Sequence, residues 1–164
     1  MEKLSILFVC LGNICRSPAA EGIMKAILKK KPLSIDVHVA SCGMGRWHVG
    51  EFPDPRMRKS AQERGFTLDS TAQQFEIGMF DTYDYILSAD TQVLEDLKAL
   101  IRLPENLSKL YLINDFNDQF RGKDIPDPYW GESGGFDEVI DILEVACKGL
   151  LEQICKDHSL QKIN

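Results

Sequence analysis

The sequence predicts an α/β protein in which a parallel sheet of four strands carries helices on both faces. Three observations support this fold class. Short apolar runs typical of buried strands alternate along the chain with stretches of helical periodicity. Proline and glycine mark the ends of many of these segments. The 164 residues, of which 44% are hydrophobic, suit one domain with a buried core.

The first strand and the first helix are the most clearly marked elements. Residues 5–10 are rich in Ile, Phe and Val and predict a strand buried on both faces. A helix is predicted to open at Ser17, with Pro18 at its first position, where a proline is tolerated. It ends at the lysines of residues 29–31, which suit the negative end of a helix dipole, and Pro32 prevents its continuation.

The later elements follow from the same signals. Residues 35–41 alternate polar and β-branched side chains and predict the second strand. Asp54 resembles an N-cap and Pro55 the first residue of a helix that ends near Gly65. Residues 114–135 are polar and predict a long loop. The remaining predictions are strands at 83–88 and 109–113, a helix at 91–101, and a final amphipathic helix at 136–154.

Composition excludes several classes of protein. A formal net charge of −6, from 19 basic and 25 acidic residues, disfavours a general nucleic-acid binder. No apolar run approaches the roughly 20 residues that cross a bilayer, and the N-terminal run suits a strand better than a signal peptide. Five cysteines are an odd number for a disulfide framework. We therefore expect a cytoplasmic protein with no membrane insertion and no nucleic-acid partner, in which a cysteine is either core filler or a reactive thiol.

The loop after the first strand, C-L-G-N-I-C-R-S-P at residues 10–18, is the most informative segment. A loop that runs from a strand into a helix N-terminus turns backbone N–H groups inward and forms an anion cradle. Gly12 is expected to supply the positive φ that such a turn often needs, and Arg16 adds a planar fork of donors for an oxyanion. In this field the thiol of Cys10 is expected to ionise near neutral pH. The loop thus combines a nucleophile with an oxyanion clamp.

Other uses of these residues are less well supported. Cys10 and Cys15 could be small buried hydrophobes, but a Cys-x5-Arg-Ser loop between a strand and a helix is more specific than that. Zinc binding by Cys10, Cys15 and Cys42 is disfavoured because the spacing contains no CxxC and the three histidines are scattered. No GxGxxG dinucleotide fingerprint follows the strand.

The segment from Val9 to Pro18 resembles the low-molecular-weight protein tyrosine phosphatases. The likeness covers nearly the whole chain, because further matches follow in the family's order. It implies a flavodoxin-like doubly wound fold, one phosphatase domain at residues 1–158 with a frayed tail at 159–164, and no metal or organic cofactor. The further matches are Ser41, Trp47 with Gly50, Asp54-Pro55-Arg56, Tyr85-Ile86-Leu87 with Asp90, and Ile125-Pro126-Asp127-Pro128-Tyr129.

The resemblance also implies roles for single residues. Cys10 would attack phosphorus and form a phosphocysteine intermediate, Arg16 would bind the phosphoryl oxygens, and Asp127 would be the general acid. The partners would be phosphotyrosine proteins or peptides, and the protein a monomer or weak homodimer. The phosphate-binding residues would be Leu11, Gly12, Asn13, Ile14, Cys15, Arg16 and Ser17.

Three further sets of residues complete the resemblance. Ser17 would favour the thiolate through its hydroxyl, although it could also be a plain N-cap. Asn13 and Ser41 would form the hydrogen-bonded pair that holds the loop, although Asn13 alone could be an ordinary turn residue. The substrate pocket would have four apolar or aromatic walls, which suit a phenyl phosphate. These walls are Leu11, Ile14, Trp47 and Tyr129.

The chain departs from the family in two places. Ser70, Ala72 and Gln73 stand where many members carry His followed by Ala-Arg, so the network near Ser17 is expected to be rebuilt. Tyr129 is followed by Trp130 where the family has paired tyrosines, which leaves only the first ring open to phosphorylation.

Three alternative functions remain open on this fold. Thioredoxin-coupled arsenate reductases need relay cysteines in mid-chain, and none lies between Cys42 and Cys147. Protein-arginine phosphatases carry Thr where this loop has Ile14. A phosphotyrosine-binding pseudophosphatase would not need Cys10 and Asp127 intact.

The same loop predicts redox control of the nucleophile. A readily formed thiolate is also readily oxidised to a sulfenic acid. Cys15 lies five positions after Cys10 on the curled loop and is expected to condense with that acid, giving a reversible, inactive disulfide. The alternative is that Cys15 only packs against the sheet.

Overall fold

Four parallel strands form one sheet in the computed structural model, which describes residues 3–131 and 135–161. The strand order is β2-β1-β3-β4. All three strand pairs are parallel, which confirms the predicted fold class. The strands are β1 (Lys3–Cys10), β2 (Asp36–Gly43), β3 (Tyr85–Ser88) and β4 (Leu110–Leu112).

The four predicted helices are present, with shifted ends, and a short one was not foreseen. They are α1 (Arg16–Lys30), α2 (Pro55–Glu63), α3 (Met79–Thr82), α4 (Thr91–Leu100) and α5 (Gly135–His158). The short helix that the sequence analysis did not predict is α3, whose four residues are too few to show helical periodicity. Residues 104–109, 113–116 and 128–130 form 3-10 turns that were also missed.

The predicted first residue of α1 is wrong by two positions. The helix begins at Arg16, so Pro18 is its third residue and not its first. The N–H groups of the first turn have no intrahelical partner, and the missing N–H of a proline therefore costs little at this position too. The shift places Arg16 itself on the first turn of the helix.

The chain after α5 turns back onto the body of the protein. Ser159 has a positive φ of 51°, and the N–H of Leu160 donates to the carbonyl of Cys155 at 2.9 Å. Leu160 packs against the main core cluster. The rest of the tail expected to fray, residues 162–164, lies outside the described residues.

Both faces of the sheet are covered, which explains the unbroken apolar run at residues 6–10 of β1. Successive side chains of a strand point to opposite faces. Ile6 and Phe8 belong to the core that β1 shares with α1, α2 and α5, whereas Leu7 and Val9 belong to a second core with α4. Among the described residues, none of the helices has the length and apolarity that a membrane span requires.

The topology of the sheet determines where the loops after its strands come together. The chain leaves β1 for β2 on one side and later returns to β3 on the other, so β1 lies at the switch point of the sheet. In register, Cys10 pairs with Gly43 and Val9 with Ser88. The carboxyl ends of β1, β2 and β3 therefore lie side by side, and the loops that follow them meet around Cys10.

Candidate active site

Cys10 ends β1 at the base of a tightly curled loop. The loop runs directly into α1, whose first turn has backbone N–H groups without intrahelical partners. The N–H of Asn13 points at the Cys10 sulfur, with N and Sγ 3.2 Å apart, and Ser17 Oγ lies 2.9 Å from the same sulfur. The sulfur is thus contacted by a backbone N–H and a hydroxyl, an arrangement suited to a thiolate.

The expected positive φ of Gly12 is wrong, because the residue with that conformation is Asn13, at 58°. Asparagine tolerates this conformation better than most residues. Its side-chain Nδ2 donates to Ser17 Oγ at 2.7 Å and to Ser41 Oγ at 3.0 Å, while its Oδ1 accepts from the N–H of Gln73 at 3.0 Å. Three hydrogen bonds thus hold the side chain that stabilises the loop.

Two glycines allow the loop to pack closely. A Cβ on Gly43 would lie 2.9 Å from the carbonyl carbon of Gly12 and 3.0 Å from the nitrogen of Asn13. A Cβ on Gly12 would lie 3.2 Å from the ring of His48. Gly43 was missed in the sequence, although a glycine at the end of a strand beside a ligand loop often marks such a close approach.

A buried carboxylate, also missed in the sequence, orients this network. Glu21 of α1 is 4% exposed, and its Oε1 accepts from Ser41 Oγ at 2.6 Å. Its Oε2 lies 2.6 Å from Lys25 Nζ. Because the one hydroxyl proton of Ser41 goes to Glu21, Ser41 accepts from the amide of Asn13.

The same logic assigns the proton of Ser17. The second N–H of the Asn13 amide goes to Ser17 Oγ, which leaves the hydroxyl proton of Ser17 for another acceptor. The candidates are Cys10 Sγ at 2.9 Å and the carbonyl of Cys42 at 3.3 Å, and the shorter contact favours the sulfur. The series of hydrogen bonds from Glu21 through Ser41, Asn13 and Ser17 therefore directs the hydroxyl proton of Ser17 toward the sulfur of Cys10.

Gln73 also supports the loop. Its N–H contacts Asn13, its carbonyl accepts from the N–H of Gly43 at 2.8 Å, and its Nε2 donates to the carbonyl of Ser41 at 3.0 Å. Two of these three contacts use the main chain of Gln73, so they do not depend on which side chain stands at this position.

Arg16 is buried at the edge of the same loop. Its Nη1 donates to Asp90 Oδ2 at 2.8 Å and to the carbonyl of Ile125 at 3.0 Å. Burial opposes the charge, but the neighbouring Cys10, Asp90 and Asp127 outweigh it and raise the pKa of Arg16 above its usual value. The guanidinium therefore stays a cation.

Asp127 reaches the site from the loop that precedes the final helix. It precedes the 3-10 turn at residues 128–130, and its Oδ1 accepts from the N–H of Tyr129 at 3.1 Å. Its Oδ2 lies 3.6 Å from Arg16 Nη2, and the side chain is 35% exposed. The carboxyl group thus faces the cation while remaining open to a substrate.

These groups open into a pocket of about 300 Å³. That volume is at the lower end of the range for small-molecule sites. The four predicted walls are all present, together with His48 and Trp130, which the sequence did not indicate. The lining residues are Cys10, Leu11, Gly12, Ile14, Cys15, Arg16, Trp47, His48, Asp127, Tyr129 and Trp130. A larger cavity of about 430 Å³ between α1 and α5 is lined by no cysteine and lies apart from this site.

Two other buried cysteines, Cys15 and Cys42, lie near the site. Burial is the main cause that raises the pKa of Cys15, with the nearby charges of Asp54 and Cys10 adding to it. Burial likewise raises the pKa of Cys42. Both are therefore thiols at neutral pH. Over residues 3–131 and 135–161, no three His, Cys, Asp or Glu side chains are grouped so as to hold a metal ion.

Known proteins are similar to this chain both in sequence and in architecture. The family described as low molecular weight phosphotyrosine protein phosphatase matches residues 5–160. A Synechocystis sp. relative is 40% identical over 154 residues, which are 94% of this chain and 98% of that protein. The low-molecular-weight protein-tyrosine-phosphatase of Streptomyces coelicolor is 36% identical over 91% of this chain and 92% of its own.

A solved structure of a known protein has the same fold. A protein tyrosine phosphatase from Entamoeba histolytica, crystallised with Hepes in its active site, superposes with a TM-score of 0.89 at 36% identity. The match covers 94% of this chain and 98% of that one.

Proposed function

The chain belongs to the low molecular weight phosphotyrosine protein phosphatase family, and on that premise we propose that it hydrolyses phosphotyrosine in proteins or peptides, and small aryl phosphates, through a phosphocysteine intermediate. The observation that supports this most is the convergence of Cys10, Arg16 and Asp127 on one pocket of about 300 Å³. These three residues supply a nucleophile, an oxyanion clamp and a proton donor.

In the first step the Cys10 thiolate attacks phosphorus as the bond to the tyrosyl oxygen breaks. Arg16 and the N–H groups of residues 11–17 hold the phosphoryl oxygens, whose charge is spread in the transition state. Asp127, in its carboxylic acid form, gives its proton to the departing tyrosyl oxygen. The products are tyrosine and an S-phosphorylated Cys10.

In the second step water hydrolyses the phosphocysteine. The Asp127 carboxylate takes a proton from water as its oxygen bonds to phosphorus and the P–S bond breaks. Cys10 leaves as a thiolate, and the hydroxyl of Ser17, 2.9 Å from its sulfur, stabilises the developing charge. Inorganic phosphate leaves and the starting protonation states are restored.

The pocket walls favour an aromatic phosphate ester. Tyr129 and Trp47 offer aromatic rings to a phenyl group, and Leu11 and Ile14 line the same slot. Cys10 is only 3% exposed, so a reacting phosphate must reach down to it. The side chain of phosphotyrosine is long enough for this, whereas that of phosphoserine is much shorter.

The competing functions fit the chain less well. An arsenate reductase of the relay type needs a cysteine between Cys42 and Cys147, and the chain has none. An arginine phosphatase would carry Thr in place of Ile14. A pure phosphotyrosine binder would have no use for an acid at Asp127, which stands 3.6 Å from the guanidinium of Arg16.

The setting of the reaction follows from its chemistry. A nucleophilic thiol needs a reducing compartment, and five cysteines are an odd number for a disulfide framework, which supports a cytoplasmic location. The partners are phosphotyrosine-bearing proteins and not nucleic acids, since the net charge is −6. The protein would work as a monomer or weak homodimer.

Substrate comparison tests the proposal. Turnover would be measured on phosphotyrosine, phosphoserine and phosphoarginine peptides, with arsenate reduction in parallel. We expect phosphotyrosine to be hydrolysed fastest, Cys10→Ser to remove all turnover, and Arg16→Lys to remove most of it, since a point charge does not replace a fork of donors. Faster turnover of phosphoarginine, or activity retained by Cys10→Ser, would contradict the proposal.

A further inference from the structure

A shallow groove adjoins the catalytic pocket and shares two of its walls. Leu11 and Trp47 line both the pocket and the groove. From these walls the groove extends to α4, which contributes Asp96, Ala99 and Leu100. Its complete lining is Leu11, Met44, Gly45, Trp47, Asp96, Ala99 and Leu100.

The groove is held in register with the nucleophile by main-chain hydrogen bonds. The N–H of Met44 donates to the carbonyl of Cys10 at 3.0 Å, and the N–H of Gly45 donates to the carbonyl of Leu11 at 2.9 Å. A Cβ on Gly45 would lie 1.8 Å from the indole of Trp47, so only glycine lets that ring fold down here. The Trp47 ring lies against Gly45 and lines both the pocket and the groove.

The lining of the groove is apolar and exposed. Leu11 is 45% exposed, Trp47 68% and Leu100 39%, so three large apolar side chains meet the solvent together. A contiguous exposed apolar surface beside an active site points to a binding function. Asp96 is the one charged residue in the lining, and Gln92 Nε2 donates to its Oδ1 at 3.0 Å.

We propose that this groove is a substrate subsite, which receives one apolar side chain of the phosphotyrosyl peptide. The inference rests on the proposed function and deepens it. Residues of an extended peptide are spaced by about 3.3 Å, so a side chain one to three positions from the phosphotyrosine reaches a groove that shares walls with the pocket. The lining contains no basic residue, and Asp96 disfavours an acidic side chain, so the occupant is apolar.

A peptide scan of single positions tests this subsite. Phosphotyrosine peptides with Ala at the neighbouring positions would be compared with peptides carrying one Leu at each position from −3 to +3. We expect Leu at one position to raise kcat/KM about fivefold over Ala, less than a fully enclosed apolar pocket gives. Leu100→Gln and Ala99→Gln should each abolish this ratio. The control Leu107→Gln, at a 51% exposed leucine outside the groove, should keep it.

Hydrolysis of a small aryl phosphate is measured on the same proteins. It reports folding and the proposed function without using the groove, and we expect it to be unchanged in all three variants. A flat Leu scan, or a Leu preference that survives both groove variants, would overturn the subsite while leaving the phosphatase function intact. Absence of aryl phosphate hydrolysis in the wild type would instead overturn the proposed function.

Discussion

Arg16 and Asp90 form an ion pair at the switch point of the sheet, with Arg16 Nη1 and Asp90 Oδ2 2.8 Å apart. The side chain of Arg16 is 5% exposed and that of Asp90 19%, so the pair is shielded from solvent. The other oxygen of Asp90 accepts from the N–H of Val93 at 2.8 Å and caps α4. One carboxylate therefore fixes both a helix start and the cation that we propose holds the phosphate.

The pair predicts different outcomes for two substitutions of Asp90. Asp90→Asn keeps an N-cap oxygen but loses the charge opposite Arg16, whereas Asp90→Ala loses both. We expect each to lower kcat/KM about tenfold or more and to weaken inhibition by phosphate, because the guanidinium is no longer held in place. Asp90→Ala should be less stable than Asp90→Asn by about 1 kcal/mol, the usual value of an N-cap.

Phosphate inhibition separates positioning from a purely structural effect. A variant that only unfolds more readily loses active enzyme but keeps the inhibition constant of the folded fraction. Unchanged inhibition by phosphate in Asp90→Asn would show that Arg16 does not depend on this pair. Urea denaturation of both variants gives the stability comparison.

A second prediction concerns two substitutions of Asn13, because they separate the effect of its backbone conformation from the effect of its side-chain hydrogen bonds. Asn13→Gly accepts the φ of 58° but loses the three side-chain hydrogen bonds, and Asn13→Ala loses the bonds and keeps a Cβ in an unfavourable conformation. We expect both to lose most phosphatase activity. Asn13→Ala should be the less stable by about 1 kcal/mol in urea denaturation.

Equal stability of the two variants would show that the loop relaxes and that the positive φ carries no strain. Activity close to wild type in Asn13→Gly would show instead that the hydrogen bonds to Ser17 and Ser41 are dispensable. The two measurements therefore test separate contributions of one residue.

The sequence predicted the strands and the catalytic loop better than the network around them. Residues 6–10 of β1 form a short apolar run, which is typical of a strand buried on both faces. The Cys-x5-Arg spacing of the loop that follows is equally specific. Glu21 was missed because Glu21 and Lys25 at i and i+4 look like an ordinary surface pair of a helix. Only the packing of α1 against β2 shows that this carboxylate is buried beside Ser41.

The error at Gly12 has a similar origin. Glycine is the default residue for a positive φ, so the sequence favoured it over its neighbour Asn13. The conformation falls on Asn13 because its side chain finds partners on α1, on β2 and at Gln73, which together offset the strain. Contacts between segments 28 and 60 positions apart cannot be recognised from local pattern.

Asp127 predicts a dependence on the leaving group. Asp127→Asn should slow hydrolysis of phosphotyrosine by about 100-fold, because a tyrosyl oxygen is basic and needs a proton as it departs. An aryl phosphate with a strongly acidic phenol should be slowed much less. Steady-state kinetics on both substrates checks this, and equal slowing would remove Asp127 from the role of acid.

The surroundings of Cys15 predict redox protection of the enzyme. Peroxide oxidises the Cys10 thiolate to a sulfenic acid, and the Cys15 thiol then attacks that sulfur, forming a disulfide and releasing water. Cys15 is not the first target, because burial raises its pKa and keeps it protonated. Cys10 and Cys15 line one pocket and share one core cluster, which favours their pairing.

Cys42 provides the matched control, because it is also a buried free thiol with a raised pKa. It belongs to the core on the opposite face of the sheet, away from the face that holds Cys10. After treatment with peroxide and then with a thiol reductant, wild type and Cys42→Ser should regain most of their activity, and Cys15→Ser much less, since its sulfenic acid proceeds to irreversible products. Mass spectrometry should detect a Cys10–Cys15 link in the first two proteins. Equal recovery in Cys15→Ser, or a link through Cys42, would assign Cys15 to packing alone.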